Sequence, residues 1–342
     1  MLCLGIESTA HTFACSVVKY SDSNTNSDTN KSPNILSDVR NTFKAPDGSG
    51  IHPREAARHH ASVAIDVLKR SLESSKIKYK DLDIVAYSAG PGLGPCLRIG
   101  AVIARSISSF YDIKLVPVNH ALGHIELGMS LTGGKDSLVL LVSGGHTMIL
   151  VFNNKRWRVI GETLDITLGQ LLDQFGRHLG LASPCGQEIE KLANKSYKNY
   201  VSLPYSIKGN DITFSGILSA AKRLVSTGKY TNEDICYSIQ ETAFAIITEA
   251  VERALSATEK RELLVVGGVS ANKDLSHMLN LACLRHKAKF NPCPISYSGD
   301  NGVQIAWTGI LSYLKTKNFI DISDSFVNQS WRIDSVDVLW RE

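Results

Sequence analysis

Short apolar runs separated by small polar turns recur along the chain, and they alternate with longer stretches of helical period. Leu2 to Val18 reads as two strands joined by Glu7-Ser8-Thr9-Ala10-His11-Thr12, a polar turn of the kind that opens a hairpin. Roughly Tyr20 to Asp38 is dominated by Ser, Asn, Asp, Thr and Lys and lacks the apolar surface to pack. Residues 21–38 are therefore read as a polar, flexible insertion in the first hairpin, with pairing resuming at about Val39 to Phe43. His52-Pro53-Arg54-Glu55 starts a helix, with proline where its missing N–H costs nothing. Its expected apolar stripe is Ala61, Ala64, Ile65, Leu68 and Leu72, and the adjacent His59 and His60 point in different directions, at a pocket edge or on the surface. Ile84 to Tyr87 is a buried strand that runs into Ser88-Ala89-Gly90-Pro91-Gly92-Leu93-Gly94-Pro95 and a helix through Ile99, Val102, Ile103, Ile107 and Phe110. That glycine-rich turn is either an anion acceptor or a tight βα turn; no G-K-[ST] follows, so it is not a Walker loop. Lys114 to Val118 is the next strand.

The same plan begins again in the second half. Leu138 to Val142 is an apolar strand, Ser143-Gly144-Gly145-His146-Thr147 is the turn, and Met148 to Phe152 returns. Gly161 to Leu181 reads as one helix, with Asp173 set among leucines and needing partners or solvent. Helices are expected after Cys185-Gly186-Gln187, after Asp211-Ile212-Thr213-Phe214-Ser215-Gly216, and from Ile235 to Ala257. Glu262 to Val266 is a buried strand ending in Gly267-Gly268-Val269-Ser270-Ala271-Asn272, where Asn272 either caps the next helix or hydrogen-bonds a ligand. Repetition of a hairpin with a Ser/Thr/Gly turn implies two α/β lobes around a cleft, divided as 1–135 and 136–342.

Composition narrows the class without naming a function. A chain of 342 residues with 43% hydrophobic and 20% charged residues can build two cores of ordinary size. Its net charge of +4 permits a nucleic-acid partner without demanding one. The seven cysteines are scattered without a C-x-x-C pair, which suits reduced thiols in the cytoplasm. No apolar run is long enough to span a bilayer and no basic leader opens the chain, so a cytoplasmic protein without membrane contact is expected.

Candidate chemistry centres on Pro117-Val118-Asn119-His120-Ala121-Leu122-Gly123-His124-Ile125-Glu126-Leu127. Histidines four apart on a helix share one face and can reach one metal ion, although such a pair can equally be a polar face or satisfied core side chains. A third ligand is available in Ser298-Gly299-Asp300-Asn301-Gly302, where the aspartate is by default a helix N-cap. If the fold brings Asp300 opposite the histidines, the set is open and fit for zinc or ferrous iron. A zincin peptidase would need glutamate directly after the first histidine, and that position is Ala121. A kinase of a two-lobed fold and a non-catalytic interaction subunit are the other readings.

The ordered set NHALGHIELG, LLVSGGHT, GETLD with LLDQFGRHLGL, DITFSG, VVGGVSAN and GDNGVQIAWTG resembles the catalytic subunit of tRNA threonylcarbamoyladenosine synthase over nearly the whole chain. Glu7 to Thr12 and Gly50 to Ala57 look like the archaeal and eukaryotic type of these tRNA N6-adenosine threonylcarbamoyltransferases, which works inside the KEOPS complex. The resemblance implies an actin-like ATPase fold, of the sugar-kinase and Hsp70 kind. It also implies transfer of the threonylcarbamoyl group from threonylcarbamoyl-adenylate to N6 of the adenosine beside the anticodon in tRNAs reading codons that begin with A. By motif, His120, His124 and Asp300 would hold one divalent metal, ferrous iron first and zinc second. The nucleotide-binding positions fall on Ser143, Gly144, Gly145, Asp173, Gly186, Glu190 and Asn272, with Leu141 and Val142 in the same strand as Ser143. Implied partners are tRNA and the KEOPS subunits: a Bud-type kinase, a small dimerising subunit and a regulatory subunit. The chain departs from the archaeal pattern where Leu141 replaces a tyrosine that also reaches the metal, and where Cys185-Gly186-Gln187 replaces G-G-P.

Overall fold

The computed structural model describes residues 1–21, 32–317 and 319–341. Along the chain the elements are β1 (Leu2–Glu7), β2 (Thr12–Lys19), β3 (Asn34–Thr42), α1 (Pro53–Ser75), β4 (Ile84–Gly90), α2 (Gly94–Tyr111), β5 (Lys114–Asn119) and α3 (His120–Thr132). There follow β6 (Leu138–Val142), β7 (Thr147–Asn153), β8 (Arg156–Glu162), α4 (Leu168–His178), α5 (Gly186–Ala193), β9 (Ile207–Lys208), β10 (Asp211–Ile212) and α6 (Ser215–Thr227). The chain continues through α7 (Asn232–Thr258), β11 (Glu262–Val266), α8 (Lys273–Arg285), β12 (Lys289–Pro292), α9 (Ile295–Ser298) and α10 (Gly302–Thr316).

Two five-stranded sheets carry one topology. The first has the order β3-β2-β1-β4-β5 and the second β12-β11-β6-β7-β8, so each sheet has an antiparallel meander on one side and parallel strands on the other. The duplication of plan expected from the two hairpins is thus a duplication of the sheet. Inner strands are buried on both faces, and period-2 alternation sends successive residues into different cores. Leu138, Leu140 and Val142 face α4 to α7, whereas Val139 and Leu141 face α3. Likewise Val85 and Tyr87 face α1 and α2, whereas Ile84 and Ala86 face α10.

Helix α10 comes from the second half of the sequence but lies on the first sheet. Glycine permits the crossing: a Cβ on Gly5 would sit 2.2 Å from the Gly302 carbonyl, and one on Gly302 would sit 2.7 Å from the Ser16 nitrogen. That backbone contact seats the N-terminus of α10 on the face of the sheet over β1 and β2. The tail from 319 to 341 then fastens both halves. Ile320 pairs with Leu115, the Asn328 N–H donates to Ala89 at 2.7 Å, and the Val338 N–H donates to Lys155 at 2.7 Å.

Several local expectations are corrected. Pairing resumes at Asn34 rather than Val39, because Leu36 and Ile35 find apolar cover and Ser37 bonds Ser71 at 2.9 Å; residues 22–31 of the polar insertion lie outside the described residues. The stripe of α1 is rotated: Ala61 and Ile65 are exposed, and His60 is buried against the ring of Phe13. Counting His60 as polar hid the true face of Ala56, His60, Ala64, Val67 and Leu68. Val102 and Phe110 of α2 are exposed as well. Gly161 to Leu181 is not one helix, since β8 extends to Glu162 and α4 begins only at Leu168. The Asp165 carboxylate accepts N–H groups of Ile166, Phe214 and Ser215 and so holds a loop there, and Thr167 caps α4. The turn after β4 is a tight βα turn and not an anion site. The Gly92 N–H donates to the Gln329 carbonyl and the Leu93 N–H to that of Thr9.

All seven cysteines are buried and free. Among the described residues no helix is long and apolar enough to cross a membrane.

Candidate metal centre and nucleotide cleft

Helix α3 is buried along its first ten positions, from His120 to Met129, and packs between the two sheets. Asn119 caps it by accepting the Leu122 N–H at 3.1 Å, which sets His120 at the first helical position and His124 one turn on. Their rings meet edge to face, with centroids 4.8 Å apart. Asp300 stands just before α10, and its Oδ1 lies 3.5 Å from His120 Nε2 and 3.3 Å from His124 Nε2. Asp300 is not the N-cap. Asn301 fills that role by accepting the Gln304 N–H at 2.8 Å, so the aspartate is left to face the histidines.

A fourth group completes the arrangement. Glu7, at the end of β1 and fully buried, places Oε2 2.9 Å from His120 Nδ1. Its other oxygen accepts the Thr9 N–H at 2.6 Å. A carboxylate on Nδ1 keeps the proton there and leaves Nε2 as the donor atom for a cation. The Gln304 amide lies 3.2 Å from the same Nδ1. Nothing in the spacing pointed to Glu7 or Gln304. The only signal for Glu7 is that a charged residue ends the otherwise apolar run Leu2-Cys3-Leu4-Gly5-Ile6.

The donors of His120, His124 and Asp300 lie within 4.8 Å of one another and form the one such group among the described residues. The electrostatics call for a cation. Burial disfavours charge on His120, yet Glu7 and Asp300 outweigh it and raise its pKa to about 9. Burial likewise opposes ionisation of Asp300, but His120 and His124 hold its carboxyl far below the ordinary range. His124 is lowered, first by burial. Two carboxylates thus converge on buried imidazoles, and a divalent ion on two nitrogens and one oxygen fits this donor set. Leu141 is buried in the apolar cluster around α3 and contributes no donor.

Beside this centre lies the turn between β6 and β7. The His146 ring lies 6.3 Å from that of His120, inclined to it by 30°, and its Nδ1 is buried without a hydrogen-bond partner. Burial, with His120 and His124, lowers His146 to about 3, so it stands neutral. Ser143 Oγ accepts the N–H groups of Gly145 and His146 at 3.2 and 3.0 Å. A Cβ on Gly144 or Gly145 would meet nothing within 4 Å, so open space lies over the turn. Thr167 Oγ1 donates to the Gly144 carbonyl at 2.9 Å and ties the turn to the start of α4.

The remaining sequence-derived positions form a second linked group. Asp173 accepts the Cys185 N–H at 2.6 Å, beside Gly186, and burial raises its pKa. Glu190 accepts the Lys273 N–H at 3.1 Å. Asn272 caps α8 through its oxygen and donates its amide to Gln240 at 2.9 Å. Val142 backs the close approach of Gly267, whose φ of 95° admits only glycine comfortably, while Gly268 has open space beside it.

Comparison with known proteins fits this geometry. The family model described as tRNA N6-adenosine threonylcarbamoyltransferase matches residues 34–307. The chain belongs to that family. A Caldivirga maquilingensis tRNA N6-adenosine threonylcarbamoyltransferase is 45% identical over 340 residues, covering 99% of this chain and 98% of the relative. Staphylothermus marinus has one that is 45% identical over 345 residues, covering 98% and 99%. Among solved structures, HypF from T. kodakarensis gives a TM-score of 0.59 at 12% identity, over 90% of this chain and 47% of that one. The activator of 2-hydroxyisocaproyl-CoA dehydratase from Clostridium difficile, with bound ADPNP, gives 0.52 at 13% identity, over 94% and 100%. At such identity these two speak only for the fold, which is the two-lobed actin-like ATPase type.

Proposed function

We propose that the cleft transfers a threonylcarbamoyl group from threonylcarbamoyl-adenylate to N6 of the adenosine beside the anticodon, in tRNAs reading codons that begin with A. The observation that carries this reading is the convergence of His120, His124 and Asp300 beside the Ser143 turn in a chain of this family. The three side chains would hold one divalent ion, ferrous iron first and zinc second, which supplies a Lewis acid toward the carbamoyl carbonyl. Glu7 fixes the tautomer of His120. Ser143, Gly144 and Gly145 would receive the phosphate, where the turn is open, Asp173, Gly186, Glu190 and Asn272 would hold the nucleoside, and Leu141 and Val142, buried in β6, would back the turn from behind.

The donor is an activated acyl phosphate, so the protein's main work is to align it with the amine and to stabilise charge. The N6–C bond forms, the bond from the acyl carbon to the phosphate oxygen breaks, AMP leaves with that electron pair, and the amine releases one proton. The site belongs in the cytoplasm, with the KEOPS kinase, dimerising and regulatory subunits as partners. The modest charge of +4 supports weak tRNA binding by the chain alone, with those partners supplying the rest of the affinity.

The test is metal analysis together with tRNA modification from supplied threonylcarbamoyl-adenylate, with partner proteins present. His120→Ala and Asp300→Ala chains that fold should lose bound metal and product formation together. Full activity of metal-free protein would sink the reading.

A further inference from the structure

Charge on this chain is concentrated in one place. Residues 191–230 hold seven Lys or Arg and a single acid, Asp211, a net +6 where the whole chain has +4, so the remainder is net negative. Among the described residues only Lys191 of that group enters an ion pair, with Glu188. Four tyrosines interleave with the basic residues and are exposed: Tyr197 fully, Tyr200 by 51%, Tyr205 by 50% and Tyr230 by 38%. A fully exposed tyrosine between lysines contributes nothing to a core.

The fold gathers both ends of the stretch. Ser196 and Asn199 bond the Asp234 carboxylate in the first turn of α7, at 2.6 and 3.3 Å. Lys229 and Tyr230 directly precede that turn, so Tyr197 and Lys198 stand beside them around one helix end. Tyr200 Oη lies 3.1 Å from the Thr242 hydroxyl and keeps the strap along α7. The link at 259–261 turns α7 straight into β11, so the helix runs back along the sheet. With 27 residues, α7 is about 40 Å long against about 17 Å for β11. Its N-terminus therefore overhangs the strand ends, on the side of Ser143 and Gly267. Gln240, which holds Asn272, is only about 12 Å along the helix from that end.

We infer that this surface at the N-terminal end of α7, with Tyr197, Lys198, Lys229 and Tyr230 at its centre, binds the backbone and an unstacked base of the tRNA anticodon arm. Lysines neutralise phosphates, and exposed tyrosine rings offer a stacking face to loop bases, which a protein partner of ordinary composition would not require. The inference rests on the transferase reading and adds where the polynucleotide lies while its target base enters the cleft.

The test is fluorescence anisotropy of labelled tRNA with the full chain, over a salt series from about 50 to 200 mM. A Lys198→Glu/Lys229→Glu chain should bind at least about tenfold more weakly, and its log K against log salt should flatten by about 1.8. Tyr197→Ala should weaken binding about tenfold with the salt slope unchanged. AMP binding, measured in parallel, should stay at the wild-type value in both variants and reports that they fold. Unchanged tRNA affinity and slope in both variants overturns the inference. So does loss of partner-subunit capture with tRNA affinity intact, which would assign the surface to a protein. A wild-type chain without salt-sensitive tRNA binding also overturns it, whereas the transferase reading is judged separately by product formation.

Discussion

Glu7 and His120 are 113 positions apart in sequence, and the carboxylate of the first accepts the Nδ1–H of the second at 2.9 Å. The contact joins the end of β1 to the start of α3, and it orients the imidazole whose other nitrogen faces Asp300. Glu7 therefore acts through His120 and is a positioning residue.

Replacing it should loosen the metal before it disturbs the fold. Glu7→Gln keeps the volume but presents a weaker acceptor, so metal affinity should fall about 10- to 100-fold, measured by competition with a chelator. Transfer activity should recover when metal is supplied in excess. An unchanged affinity would mean that the Thr9 hydroxyl, 3.4 Å from the same nitrogen, accepts its proton and orients the ring instead.

The tail is a separate structural test. Glu126, two residues past His124 on another side of α3 and buried, accepts from Arg341 Nε at 2.8 Å, Trp340 Nε1 at 3.0 Å and Trp157 Nε1 at 3.5 Å. Glu126→Ala should cost about 2–3 kcal/mol, because charge-assisted bonds are lost while the indole N–H groups remain buried. Urea unfolding gives the stability, and limited proteolysis should show faster cleavage of the tail after 319. A variant as stable as wild type would leave the tail's attachment to Ile320, Asn328 and Val338.

Asp165 should make stability depend on acid. Burial acts against its ionisation, but bonds from Ser215, Phe214 and Ile166 prevail and lower its pKa below the ordinary value. The sign follows from the depressed folded-state value. The stabilisation is present above the unfolded-state pKa of about 4 and disappears as pH falls through the folded-state value. Asp165→Ala should cost about 1–2 kcal/mol at pH 7, as for a lost helix cap. The gap between variant and wild type in urea unfolding should shrink toward pH 3. A gap of constant size would mean that the loop, not the carboxylate charge, stabilises the start of α6.

By itself the sequence determined the elements and the candidates. Alternation of apolar runs placed β1, β2, β6, β7 and β11, because strand burial is written in neighbouring residues. The repeated hairpin announced two sheets, and four-residue spacing put His120 and His124 on one face. Motif order pointed to the family. Local pattern failed where a residue's role was set by a distant neighbour: His60 is buried only because Phe13 lies over it, and the loop at Asp165 replaces helix only because Phe214 and Ser215 reach it. Tertiary structure alone decided that Asp300 faces His120 and His124 and is not the cap. The Gly5 and Gly302 backbones must touch for α10 to deliver it to His120 and His124, and Asn301 must take the capping bond in its place. Such a contact depends on the absence of side chains at two points 297 positions apart, a relationship that no local periodicity records.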